Sequence, residues 1–124
     1  MKLDSRTYAD VVVVAAAGRL DHDNCDAFRA GLEPHLDRAG AASHRMVLDL
    51  SGLEYVSSAG LRCFMLAAKQ ARGQGGKIVL AALRPVVAEI FQISRFDMVF
   101  ELFPSVRAAL GTLSADAAAA FDQG

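Results

Sequence analysis

The sequence predicts an α/β domain, and three observations predict it. Val11 to Ala17 is an apolar run that opens with four valines. Their β-branched side chains suit a pleated strand better than a helix, and a run without polar alternation is buried on both faces or nearly so. Val47, Leu48 and Leu50 form a second such run, after which the period changes: Leu61, Phe64, Met65 and Ala68 recur at three- and four-residue steps, one face of a helix. Segments of these two kinds then alternate as far as Leu113, the pattern of parallel strands joined by helical crossovers on one side of a sheet.

Taken in order, Leu3 to Tyr8 mixes apolar and polar residues as an edge strand does, and Ala9-Asp10 is the break before the valine strand. Gly18-Arg19-Leu20-Asp21 closes that strand. Asp21, Asp23 and Asn24 are helix-start residues, because their side-chain oxygens accept from N–H groups that have no partner in the helix. A helix follows over Asp23 to Asp37 with Ala27, Phe28, Leu32 and Leu36 as its buried stripe, and Pro34 predicts a break or kink near Leu32 to Pro34. Ala39-Gly40 ends it, and Ala41 to His44 is a loop. The strand at Val47 to Leu50 is ended by the turn residues Ser51-Gly52.

The next helix runs from Ser58 to Arg72 and stops at Gly73-Gln74-Gly75-Gly76. Lys77 to Ala82 is a short strand, and Arg84-Pro85 opens a helix with Val86, Val87, Ile90, Phe91 and Ile93 on its buried face. Met98 to Leu102 is the last strand. Ser105 caps a terminal helix to Leu113, and residues 114–124 form an alanine-rich tail or helix extension with Phe121 as its only large anchor. Residues 1–113 thus make up the domain proper.

Composition excludes several functions. The length suits one domain with one core, and a net charge of -1 supplies no basic footprint for nucleic acid or anionic lipid. No apolar run approaches the ~20 residues that cross a bilayer, and the first ten residues lack a signal-peptide apolar centre, which predicts a cytoplasmic protein without membrane insertion. Cys25 and Cys63 stand far apart with no second pair at metal-ligand spacing, which predicts free thiols and no zinc. His22, His35 and His44 are scattered and form no metal set. There is no GxxxxGK[ST] phosphate loop, and Gly73 to Lys77 lacks its strand-before, helix-after context. No cofactor is implied. A serine nucleophile would need an elbow of the GxSxG kind and a late histidine, and the sequence has neither, which predicts a binding protein and not an enzyme.

The candidate site is the joint between strand and helix, where Ser57 and Ser58 stand side by side. One serine at a helix start is an ordinary cap; a second hydroxyl beside it, and Gly60 where Ala would serve the helix better by ~1 kcal/mol, are unexplained by capping. The stretch Asp49-Leu50-Ser51-Gly52-Leu53-Glu54-Tyr55-Val56-Ser57-Ser58-Ala59-Gly60-Leu61 resembles the STAS domain signature at its two ends, D-L at Asp49-Leu50 and D-S-(S or A)-G-L at Ser57 to Leu61. Gly18 to Asp21 resembles the family's G-x-L-D. Pro85, Val87, Ile90, Phe91, Ser94 and Phe96 fit its third-helix pattern, with Arg95 where Gly is usual.

The resemblance spans Val11 to about Leu110 and implies a STAS-like fold: a mixed four- to five-stranded sheet with about four helices mainly on one face. It also implies an anti-sigma factor antagonist. The unphosphorylated domain would hold an anti-sigma factor with serine kinase activity, releasing a sigma factor; the kinase would phosphorylate Ser58, and a phosphatase would reset it. Ser57, which replaces the Asp usual before the phosphorylated serine, is the alternative acceptor. Asp21, Ser57, Ser58, Ala59, Gly60, Leu61 and Arg62 are the expected docking residues, with small residues at 59 and 60 leaving room for an active site, and Lys69, Gln70 and Arg72 on the same helix as weaker additions. A homodimer is allowed. The competing reading is a STAS subunit of a lipid or solute transporter ATPase complex, with a serine that is never modified.

Overall fold

The computed structural model describes residues 2–39, 45–73 and 76–123. Five strands, β1 (Lys2–Tyr8), β2 (Val11–Leu20), β3 (Arg45–Val56), β4 (Lys77–Ala81) and β5 (Leu102–Phe103), lie side by side in chain order in one mixed sheet. β1 runs antiparallel to β2 through the tight turn at Ala9, whose φ is 55°. β2, β3, β4 and β5 are parallel, and each step between them carries a helix: α1 (Cys25–Ala39), α2 (Ser58–Gly73) and α3 (Pro85–Ile93). Two further helices, α4 (Val106–Leu113) and α5 (Ala115–Asp122), close the described chain.

The valine run is continuous because both faces of the sheet are covered. Val14, Ala16, Met46, Leu48, Leu50 and Leu80 point to one side and pack on Phe28, Leu32, Phe64 and Phe91 of α1 to α3. Val11, Val13, Val47, Val79 and Ala81 alternate to the other side, under Ala109, Leu110, Ala117 and Ala118 of α4 and α5. Edge-to-face contacts of Phe64 with Phe28, Phe91 and Phe100 organise the larger layer.

Several elements differ from expectation, each for a local reason. Ser51-Gly52 does not end β3: the strand runs on to Val56, and the pair absorbs a register shift against β2, where Ala15 faces Asp49 but Ala17 faces Gly52. A Cβ on Gly52 would come within 3.0 Å of the Ala17 Cβ, so the glycine answers a close approach of strands and not a chain reversal. Pro34 lies inside α1, a single helix from Cys25 to Ala39. Ala27 faces solvent while Phe28 and Leu32 are buried; the Leu36 and His35 side chains, the Ala41 to His44 loop with His44, and residues 74–75 of the glycine stop lie outside the described residues.

On α3 only Val87 and Phe91 are buried, whereas Val86 and Ile93 are 52% and 76% exposed, because nine residues can turn just one narrow stripe to the sheet. Phe96–Met98 forms a 3₁₀ turn where a strand was expected to begin, and β5 is confined to Leu102–Phe103. Arg95 takes the left-handed conformation, φ 61°, at the residue where the family pattern has Gly. Ser105 Oγ accepts from the Ala108 N–H, the expected cap. Residues 115–122 are helical, with a second serine cap from Ser114 to the Ala117 N–H and Phe121 edge-on to Tyr8 at 5.4 Å.

Cys25 and Cys63 are not separate thiols. The crossover lays α1 against α2, brings their Cα atoms to 6.1 Å and joins the sulfurs in a disulfide. A 38-residue separation gives no hint of this in the sequence, because it is the β3 crossover that sets the two helices side by side.

Candidate functional site

The carboxyl ends of β2 and β3 stop level with one another, Leu20 opposite Val56. The Ser57 N–H donates to the Leu20 carbonyl at 2.9 Å, which ties the start of α2 to the end of β2. The Ser57 carbonyl takes the first helical bond, from Leu61 N–H, and its Oγ accepts from Gly60 N–H at 3.1 Å. Ser57 is therefore the N-cap of α2, half-buried, with its hydroxyl oxygen engaged. Ser58 is the first helical residue and is exposed. By position its own N–H and that of Ala59 have no partner within the helix, so the positive end of the helix dipole lies beside the Ser58 hydroxyl.

Gly60 faces inward. A Cβ there would stand 2.6 Å from the Leu20 carbonyl oxygen and 2.8 Å from Val56 Cγ2, so only glycine lets the first turn of α2 sit on the strand end. That close approach is what the structure shows of this glycine. Leu61 is buried as well. Of the expected docking residues, the exposed pair is Ser58 and Arg62, with Ala59 half-buried. Lys69 and Arg72 are exposed further along α2, and Gln70 is half-buried.

Asp21 follows Leu20 directly and so enters the site from β2. Its Oδ1 accepts from the Asp23 N–H at 3.0 Å, and its N–H donates to Asn24 Oδ1 at 2.8 Å. Asn24 also donates its side-chain amide to the Arg19 carbonyl, and its own carbonyl accepts from Phe28 N–H, which makes it the N-cap of α1. Asp21 is thus the organiser of a tight loop beside the serine turn. His22 is exposed in that loop, and among the described residues no group of His, Cys, Asp and Glu could hold a metal ion.

Two residues at this end carried no signal in the sequence. The Arg19 guanidinium lies over the Tyr55 ring at 4.7 Å, across the last rungs of β2 and β3, and Tyr55 is 37% exposed. Only knowledge that β2 and β3 are neighbours, with this register, pairs them.

The class defined by this arrangement is a small mixed-sheet α/β domain that presents a serine at the amino end of a helix, where backbone dipoles suit a phosphate. The family described as "Mlab, STAS domain" matches residues 4–104. BtrV of Bordetella bronchiseptica, which carries the name of an anti-sigma factor antagonist, is 38% identical over 109 residues, 88% of this chain and 91% of its own. An anti-sigma factor antagonist from Mycobacterium paratuberculosis has the same fold, with a TM-score of 0.79 at 20% identity over 90% of this chain and 92% of that one. The unphosphorylated form of the anti-sigma factor antagonist SpoIIAA superposes with a TM-score of 0.70 at 18% identity, covering 90% of this chain and 96% of that one. Its phosphorylated form, from Bacillus, gives 0.66 at 18% identity, covering 91% and 100%. The chain belongs to the STAS domain family, among the anti-sigma factor antagonists.

Proposed function

We infer that this protein is a binding module, not an enzyme, that holds an anti-sigma factor with serine kinase activity while Ser58 is unmodified and lets go when that kinase phosphorylates it. The observation that carries the reading is the division of labour between the two hydroxyls. Ser57 Oγ is engaged by the Gly60 N–H, while Ser58 is exposed at the dipole end of α2. A kinase needs a hydroxyl it can reach and a product that the fold accepts; Ser58 meets both needs and Ser57 meets neither without giving up the cap.

Phosphorylation would add about -1.5 to -2 charge and three acceptor oxygens to that position. The free N–H groups of the first turn accommodate it on this chain's side. On the partner's side, a surface packed against a neutral hydroxyl meets a desolvated charge, a penalty of a few kcal/mol against ~1.4 kcal/mol per tenfold in affinity. Asp21, Ala59 and Arg62 are proposed as the rest of the contact. The proposal places the protein in the cytoplasm with its kinase, and a phosphatase restores the binding form.

The purified chain, incubated with its partner kinase and ATP, should take one phosphate, located on Ser58 by tandem mass spectrometry. Ser58→Ala should bind the kinase with unchanged affinity and take none, and Ser58→Asp should lose at least tenfold in affinity. Phosphate on Ser57 alone would overturn the assignment of the acceptor. A chain that takes phosphate on neither serine and binds no kinase would return it to the transporter-subunit reading.

A further inference from the structure

We propose that Cys25 and Cys63 are a reversible dithiol–disulfide pair, closed by a hydroperoxide and opened by a dithiol reductant, that fastens the Asp21 loop to the serine helix. These are the chain's two cysteines, and the fold brings both to one place. Their Cα separation of 6.1 Å lies inside the ~4.4–6.8 Å window within which a bridge closes without moving backbone. Cys25 is the first residue of α1, half-buried, and follows directly on the loop of Asp21 to Asn24. Cys63 is fully buried in α2, little more than a turn beyond Ser58. The Cys25 sulfur also lies 4.0 Å from the carbonyl oxygen of Ala59, the residue next to Ser58. Each cysteine therefore stands at the root of one of the two segments that make up the serine end.

The asymmetry of exposure gives the order of events. The half-buried Cys25 thiolate attacks the peroxide O–O bond, takes one oxygen as sulfenic acid and releases water or an alcohol. The Cys63 sulfur then displaces hydroxide from that sulfenic sulfur; its proton leaves with the hydroxide as water, and the S–S bond forms. Two electrons pass from the pair to the peroxide. A dithiol reductant reverses the step by thiol–disulfide exchange, entering at Cys25, the reachable sulfur. A buried resolving thiol at bridging distance competes well with further oxidation of Cys25. The pair stands on geometry alone and does not depend on phosphate transfer to Ser58.

The test uses the full chain, reduced and then freed of reductant. Addition of hydrogen peroxide should lower the intact mass by about 2 Da, the two hydrogens lost in forming one bridge. Peptide mapping should find Cys25 linked to Cys63 within one chain. The bridged form should melt about 10 °C higher than the reduced form, since the link closes a long loop of the unfolded chain. Amide exchange at 21–24 and 57–61 should slow in the bridged form, and dithiothreitol should undo every change. Cys25→Ser, with its fold checked by far-UV circular dichroism against the reduced parent, should show neither the mass loss nor the melting shift. Separate oxidation of the two thiols, a link between two chains, or a bridge that leaves exchange at the serine end unchanged would each overturn the proposal.

Discussion

Ser57 and Ser58 show how one bond along a chain separates an engaged hydroxyl from an exposed one. Ser57 Oγ accepts the Gly60 N–H, so Ser57→Ala should cost about 1 kcal/mol, the usual worth of a cap, in urea unfolding, and should leave phosphate uptake at Ser58 in place. Gly60 offers a sharper test because two effects of opposite sign meet there. Helix propensity favours Ala over Gly by ~1 kcal/mol, while overpacking a close-fitting site costs about 1–3 kcal/mol. The atom a new Cβ would meet first is the Leu20 carbonyl oxygen, part of the backbone that also receives the Ser57 N–H, and it cannot step aside without breaking that bond. Gly60→Ala should therefore destabilise, read as a lower urea midpoint with an unchanged slope; a stabilised variant would show that helix propensity outweighs the close fit at this turn.

At the scale of elements, what the sequence made legible and what it hid follow from where the signal resides. β2 and α2 announce themselves because their apolar patterns are long and their ends are marked by Gly, Ser and Asp. The continuation of β3 through Ser51-Gly52 was hidden because a glycine that relieves a strand contact is spelled the same as a glycine in a turn; the Ala17 side chain that decides the matter comes from the neighbouring strand. The partnership of Arg19 with Tyr55 and the meeting of Cys25 with Cys63 were hidden for the same reason, as each is a property of two elements and not of one.

The serine joint itself was legible as a helix start, because a cap is local. α5 is the intermediate case: its composition allowed a tail, but Ser114, the buried Ala117 and Ala118 and the Tyr8 ring beneath Phe121 make it part of the second core layer. Phe121→Ala should cost about 1–3 kcal/mol, less than a fully buried Phe because Phe121 is half-exposed, in thermal or urea melts. The Asp122 carboxyl, held below its usual value by a hydrogen bond from Arg107, ties α5 to α4. Its contribution is present above the ordinary carboxylate range near pH 4 and is lost as pH falls through the lower folded value, so Asp122→Asn should differ from the parent at pH 6 and converge with it in strong acid.

For the molecule as a whole, the phosphorylation proposed at Ser58 would alter a surface and not the shape. The sheet is covered on both sides, and Ser58 touches neither core layer, so phosphorylation should leave far-UV circular dichroism and the aromatic packing signals unchanged while partner affinity falls at least tenfold. Many unrelated tasks are performed on shared α/β frames, and what distinguishes this one is the chemistry at the strand ends. α5 rests against Tyr8, beside Val11 at the start of β2, whereas Ser57 hangs from Leu20 at its finish; a strand of that length sets the two about 30 Å apart. A dye fixed at the exposed Asp116 would thus ride on the remote pole of the particle, where it could track tumbling and assembly by fluorescence anisotropy while the opposite pole stays clear for its visitor.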